Sequence, residues 1–348
     1  MRLSVLTGCL LTILRAEGQV SSVPVWQVAD VRDVTPAGAI ASAPQWSPDG
    51  MWISFAGPKG TGIGIVRPDG SDWRWLTQEP LSGYKHTWSP DASRMAFRTR
   101  KVDAAGRSYA VRILSLTGEV ESAPEWDRDL QPPVWQRGPE GMRWLCQRGR
   151  EEMSGPWMPC ALKTSPLSSG PPLLFYHAQK LQRLKADGNL DPLSTGMSFD
   201  PQWSPDGTRV AFETEDQIAV SDGLTAAGTS VLCPGQCPAW SPDGKWIVYQ
   251  KTQDHTHAAG DASVHTGDTL PHRHDQKTNH QIVESELWIA AADGSVRFQL
   301  TRTPDVLEVE PRWSPDGAMI VCCTEREGKL LVLRLTAAGG APYQKSAK

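Results

Sequence analysis

The chain has 348 residues, and its 35 lysines and arginines against 39 aspartates and glutamates give a formal net charge of −4. That balance excludes a nucleic-acid surface, which needs a basic stripe to neutralise phosphates. No such stripe occurs along the sequence, and the feature out of the ordinary is a set of 15 tryptophans.

From the N-terminus, Met1 and Arg2 lead into an apolar run from Leu3 to Leu14. This suits a secretory leader and is too short to span a bilayer, so no transmembrane helix is expected. Leu6-Thr7-Gly8-Cys9 is similar to a bacterial lipobox, whose cysteine carries a lipid. Residues 1–20 therefore read as a leader for a periplasmic or extracellular protein, with lipid anchoring at Cys9 as an option. The competing reading is a buried first strand in a cytoplasmic one. Beyond Cys9 stand Cys146, Cys160, Cys233, Cys237, Cys322 and Cys323. An even set in an exported chain permits disulfides, Cys146 with Cys160 and Cys233 with Cys237 among them; buried thiols are the alternative.

A repeat dominates the rest of the chain. Pro44-Gln45-Trp46-Ser47-Pro48-Asp49-Gly50 returns around Trp88 and Asp91, Trp203 and Asp206, Trp240 and Asp243, and Trp313 and Asp316, with a degenerate copy at Trp135. Proline fixes φ for a turn, aspartate caps its own backbone, and glycine accepts positive φ. Each copy precedes a short apolar segment, such as Ile53-Ser54-Phe55 or Ile247-Val248-Tyr249. Such a run is a strand covered on both faces. Proline-x-tryptophan then ends a first strand, the turn comes next, and a second strand begins, with the indole filling the gap to the next sheet. A second glycine turn in each unit, as at Pro68-Asp69-Gly70-Ser71 or Ala292-Asp293-Gly294-Ser295, marks a hairpin between third and fourth strands.

Successive motif tryptophans are 42, 47, 68, 37 and 73 residues apart, against roughly 40–45 for propeller repeats. From the second turn to the next tryptophan the intervals hold at 18, 17, 15, 12 and 19. The surplus therefore lies between strands b and c of blades 3 and 5. The expected fold is all-β, a six-bladed β-propeller with four antiparallel strands per blade, occupying residues 21–348 as one monomeric domain. The insertions are placed at Glu151–Lys180 and at about 252–284, the second read as flexible. Val31–Thr35 stands where the last blade's fourth strand is missing, so an N-terminal strand is expected to close the ring; Ala341-Pro342-Tyr343 is the rival closing segment.

These motifs resemble the WD40-like repeat of the TolB-type propellers, found also in the gating propellers of prolyl-oligopeptidase-like enzymes. The resemblance spans about residues 30–343 and implies a fold in which the motif is structural, with no catalytic residue. In that family an α/β domain precedes the propeller, and the peptidase relatives add a hydrolase domain; residues 1–30 and the sequence up to Lys348 read as carrying neither.

No nucleophile elbow, zinc-protease helix motif or phosphate loop is present, and Gly60-Thr61-Gly62-Ile63-Gly64 reads as a hairpin turn. One cluster could bind a divalent metal, the sole cofactor the sequence suggests: His255, His257, His265, His272, His274 and His280, interspersed with aspartates. A solvated loop is the alternative. Glu308-Val309-Glu310 reads as a solvated acidic stretch. The blade 3 insertion, apolar around Trp157 and Pro171–His177, reads as a covering hairpin or a recognition patch. The leading functional expectation is a non-catalytic propeller binding a protein or peptide over its pore. Two alternatives stand beside it. One is a metal-dependent carbohydrate-active enzyme resembling oligogalacturonate lyases, and the other is a stand-alone gating propeller of a peptidase system.

Overall fold

A computed structural model describes residues 26–121, 125–160, 174–177, 180–184, 190–223, 225–254, 282–303 and 306–337. The expected leader, the histidine tract and Ala341-Pro342-Tyr343 lie outside these residues. Among the described residues the elements are β-strands and two short 3-10 turns, and no helix is long and apolar enough to cross a membrane.

Strand β1 (Trp26–Asp33) opens the described chain. Sheet 1 comes next as β2 (Ser42–Trp46), β3 (Ile53–Ala56), β4 (Ile63–Val66) and β5 (Arg74–Thr77), and sheet 2 as β6 (Thr87–Trp88), β7 (Arg94–Asp103) and β8 (Gly106–Ser115). Sheet 3 is β9 (Val134–Gly138), β10 (Gly141–Arg148) and β11 (Glu151–Ser154); sheet 4 is β12 (Leu174–His177), β13 (Lys180–Leu184) and β14 (Leu190–Pro192). Sheet 5 comprises β15 (Phe199–Trp203), β16 (Val210–Thr214), β17 (Gln217–Ser221) and β18 (Thr229–Pro234). Sheet 6 comprises β19 (Gln236–Trp240), β20 (Trp246–Asp254), β21 (Ile282–Ala291) and β22 (Arg297–Gln299). Sheet 7 is built from β23 (Glu308–Trp313), β24 (Met319–Thr324) and β25 (Leu330–Ala337), with β1 antiparallel to β25 as its fourth strand. The N-terminal strand thus joins the last three.

Every sheet is antiparallel, and the middle strands are apolar on both faces: all residues of β3 and β4 are buried. Their side chains interlock with the next sheet. Phe55 and Val66 of sheet 1 meet Val321 and Val332 of sheet 7, and Ile63 and Ile65 meet Met95 and Phe97 of sheet 2. Similar layers join sheets 2 and 3, 4 and 5, 5 and 6, and 6 and 7. First strands of neighbouring sheets approach one another, as β2 does β23 and β19 does β15 and β23, which places them nearest the ring's axis.

The propeller class expected from the repeats holds; the count of six does not carry over. The described residues form seven sheets, and sheets 2, 3 and 4 have three strands. The stretch read as an insertion, Glu151–Lys180, instead begins with β11, which pairs with β10 from Arg148↔Glu151 to Leu145↔Ser154. Strands β12–β14 pair only among themselves among the described residues. Sheet 4 has no Trp-Ser-Pro-Asp-Gly turn, so a count made on that motif passes over it. In sheet 6, β20 and β21 pair as far as Asp254↔Ile282, and residues 255–281 lie outside the described set. The six described cysteines are free thiols, so neither suggested disulfide forms.

The turn chemistry is the same in five copies. In the first, the Ser47 hydroxyl donates to Asp49 Oδ1 at 2.5 Å, the same oxygen accepts the Met51 N–H, and Ser47 Oγ accepts the Trp52 N–H at 2.9 Å. The serines at 89, 204, 241 and 314 repeat this with Asp91, Asp206, Asp243 and Asp316. The residue after aspartate is left-handed, with φ 72° at Gly50, 70° at Gly207, 68° at Gly244 and 72° at Gly317. In the second copy Ala92 holds φ 59°.

Four of the motif indoles tie their sheet to the one before it. Trp46 Nε1–H donates to the Arg312 carbonyl, Trp135 to Thr87 and Trp240 to Gln202. Each acceptor is the residue just ahead of the neighbouring motif tryptophan. Trp88 donates at 2.8 Å to the Ser54 hydroxyl, which lies 3.3 Å from the equivalent carbonyl, Gln45. Trp313 breaks the pattern: its buried Nε1 has no hydrogen-bond partner, and its ring meets Trp26 edge-on at 5.9 Å.

A left-handed conformation strains alanine more than glycine. Ala92→Gly should therefore stabilise the protein by about 1 kcal/mol, less the entropy glycine adds to the unfolded chain. Thermal unfolding reads this as a raised midpoint; a lowered one would contradict the strain at Ala92.

Candidate functional site

Three residues before five of the motif tryptophans, the first strand or its approach contains a non-glycine residue in the left-handed region. These are Ala43 (φ 48°), Lys85 (49°), Asp200 (47°), Cys237 (53°) and Glu310 (55°). In four of the five strands the pairing register shifts at this point, between Ser42 and Gln45, Phe199 and Gln202, Gln236 and Ala239, and Val309 and Arg312. An extra residue in one strand bends it and re-aims a side chain, and bulges with left-handed residues gather at functional sites. Because these strands are nearest the axis, the re-aimed side chains converge there.

The convergence is measurable. Lys85, from sheet 2, places Nζ 3.1 Å from Asp200 Oδ1 of sheet 5, three sheets further round the ring. Cys237 Sγ is 3.7 Å from Asp200 Oδ2, and donor atoms of Asp200, Glu213 and Cys237 all lie within 4.8 Å of one another. Glu310 Oε2 accepts the Ala43 N–H at 2.7 Å and the Cys323 thiol at 3.4 Å. The Glu310 N–H in turn donates to Gln250 Oε1 at 2.8 Å. The axis is thus lined with carboxylates and thiols from sheets 5, 6 and 7, with one ammonium laid against them.

The chemistry of these groups follows from burial. Burial, and then the carboxylates of Asp200, Glu310 and Glu213, push the Cys237 thiol well above its ordinary range against a smaller pull from Arg312. Burial and Glu310 do the same to Cys323. A nucleophilic or metal-binding cysteine needs its thiolate, so these two are hydrogen-bond donors. The trio has donor types that a divalent cation can use, but a protonated thiol and an ammonium already on Asp200 suit an organic cation better. The histidines at 255, 257, 265, 272, 274 and 280 lie outside the described residues. The motif residues Trp46, Trp88, Trp203, Trp240 and Trp313 end the first strands of their sheets, with the motif aspartates in the turns beyond them, whereas Trp135 is the second residue of β9.

Two features escaped the sequence reading. The left-handed positions leave only a weak signal, a residue of varied type three places before each tryptophan. Glu308-Val309-Glu310, read as solvated, is instead buried at Glu308 and Val309 and half-buried at Glu310, because this stretch is the start of the first strand of sheet 7.

No family model matches the chain, and no curated protein matches it in sequence. Its fold matches solved structures. The β-propeller domain of Cps50 (Swd1) from Myceliophteria thermophila aligns at TM-score 0.50 with 11% identity, over 90% of this chain and all of that domain. A putative TolB from Agrobacterium tumefaciens aligns at 0.48 with 17% identity, over 88% of this chain and 94% of that one. TolB from Acinetobacter baumannii aligns at 0.48 with 16% identity over 81% of this chain, which spans 59% of that protein. An oligogalacturonate lyase in complex with manganese aligns at 0.44 with 13% identity, over 87% of this chain and 79% of that one. The likeness is one of fold: the chain is a β-propeller.

Just outside the axial cluster, His86 is wholly buried, its Nδ1 3.0 Å from the Gly83 carbonyl and Nε2 2.8 Å from Ser54 Oγ. The Gly83 contact makes Nδ1 the donor and Nε2 an acceptor of the Ser54 hydroxyl, which also receives the Trp88 indole. Burial lowers its pKa from 6.5 to about 4, against a small opposing pull from the Gly83 carbonyl. A depressed folded-state value means that the unfolded chain binds the proton first. The stability is therefore complete above about pH 6.5 and is lost as pH falls through about 4. Between those limits wild type should lose up to about 3 kcal/mol more than His86→Gln. Denaturant midpoints measured at both pH values check this, and equal losses in the two proteins would contradict it.

Proposed function

We propose that this chain is a non-catalytic TolB-like propeller that binds a protein or peptide partner at its axis, and that a lysine or arginine of the partner takes the place of Lys85 beside Asp200. One observation carries the reading: the Lys85 ammonium reaches Asp200 from three sheets away, at strained backbone positions. Opposite charges across a binding surface steer partners and fix register, and this lysine and carboxylate hold the same chemistry within one chain. Each is about one-third exposed, 40% for Lys85 and 33% for Asp200, so an arriving cation can compete for the carboxylate. Glu213 and Glu310 add negative charge near Cys237. The proposed setting is the cell envelope or the exterior, resting on the apolar run at Leu3–Leu14.

Random peptides displayed on phage and panned on the immobilised chain test the reading. The expected ligands carry lysine or arginine, and Asp200→Asn should weaken them by roughly tenfold or more, the scale of losing one partner of a desolvated charge pair. Ligands bound equally by wild type and Asp200→Asn would remove the axis as the binding site. The metal-dependent reading is decided separately by incubation with Mn²⁺ and pectic oligomers, where unsaturated product would establish the lyase alternative.

A further inference from the structure

The joint between sheets 6 and 7 lacks the indole bond that four other joints have, since the Trp313 N–H is buried without an acceptor. Another set of contacts spans this joint. Glu286 on β21 and Glu308 at the start of β23 are 5% and 2% exposed, and Thr301, in the connector between the sheets, stands between them. Thr301 Oγ1 is 3.0 Å from Glu286 Oε2, is in still closer contact with Glu308 Oε2, and accepts the Leu287 N–H at 2.9 Å. The Thr303 N–H donates to Glu286 Oε1 at 2.8 Å, and the Ser285 hydroxyl to the Glu308 carbonyl at 2.8 Å.

The proton count of this cluster is fixed by its geometry. A threonine hydroxyl has one hydrogen and two acceptor sites. Leu287 fills one acceptor site, and the hydrogen serves a single carboxylate. The other carboxyl group therefore brings its own proton and donates it to Thr301 Oγ1. Two carboxylates packed this closely cannot both ionise cheaply, and among the described residues no lysine, arginine or histidine forms an ion pair with either. From β24 the titratable group facing Glu308 is the Cys322 thiol, which is itself buried and neutral; from β21 it is Glu286.

We propose that Glu286, Thr301 and Glu308 form a proton-held latch between sheets 6 and 7, and that loss of the shared proton loosens this one joint of the ring. Burial and the Glu286 charge raise the Glu308 pKa from 4.5 to about 7, although the hydrogen bond from Thr301 pulls the other way. A raised folded-state value means that this stability is complete below about pH 4.5 and is lost as pH rises through about 7. His86 titrates with the opposite sign and belongs to another joint, so the latch is read against a variant and by a local probe.

Hydrogen exchange of the intact chain, resolved by peptide at pH 5.5 and 8.5, supplies the local probe. After correction for the chemical rate, exchange in 301–313 should rise by up to roughly thirtyfold at the higher pH, the part of the Glu308 coupling lost between the two pH values. Segments of sheets 1 and 2 should not change in step. Glu308→Gln keeps a donor toward Thr301 without a charge and should abolish the rise; it should also gain thermal stability relative to wild type between pH 5.5 and 8.5. Glu286→Gln should do the same if Glu308→Gln does not fold. A wild-type rise in 301–313 no larger than elsewhere, or a rise that persists in either amide variant, would overturn the latch.

Discussion

The physical interaction on which the ring depends is the hydrogen bond from a motif indole to the first strand of the preceding sheet. A sheet apolar on both faces gains most of its stability by pressing against its neighbours. That pressure has no direction, and it would not by itself fix where one sheet sits on the next. The indole supplies direction. Its ring fills the wedge between two sheets, and its single N–H finds an acceptor only at one relative height. Trp46, Trp135 and Trp240 reach equivalent carbonyls, and Trp88 reaches the Ser54 hydroxyl that lies beside the equivalent one.

The Ser-Pro-Asp-Gly turn is the other half of this device. Serine and aspartate satisfy each other and the turn's N–H groups, so the strand on each side begins at a fixed point. The indole ahead of the turn is then held at a fixed depth. Three residues earlier, the bulge turns a side chain toward the axis, and that position is not held to one residue type. Alanine, lysine, aspartate, cysteine and glutamate all occur there, which is what a scaffold with a variable interior surface requires.

Much of the architecture was legible in the sequence because the turn is a strong local signal. Tryptophan, proline, aspartate and glycine at fixed spacing announce a strand end, a bend and a strand start, and the apolar run after each announces coverage on both faces. Closure by the N-terminal segment was readable from the interval between Val31–Thr35 and Trp46, and β1 does pair with β25. Sheet 4 was not readable, because it has no such turn and its length passed for an insertion. The axial cluster was invisible for a different reason: Lys85 and Asp200 are far apart in the chain, and a bulge has no residue preference strong enough to mark it. Glu308 misled outright, since an acidic residue beside a valine reads as surface, whereas here a shared proton lets it lie inside.

The central claim concerns the indole N–H, so its most direct test removes that group and little else. Tryptophan to phenylalanine shrinks the ring at every site, and the comparison among sites isolates the hydrogen bond. Unfolding free energies from urea titrations of Trp46→Phe, Trp135→Phe and Trp240→Phe should each fall further than that of Trp313→Phe, by about 1 kcal/mol, the net worth of a buried hydrogen bond. The same loss at all four positions would contradict the account, because Trp313 has no such bond to lose.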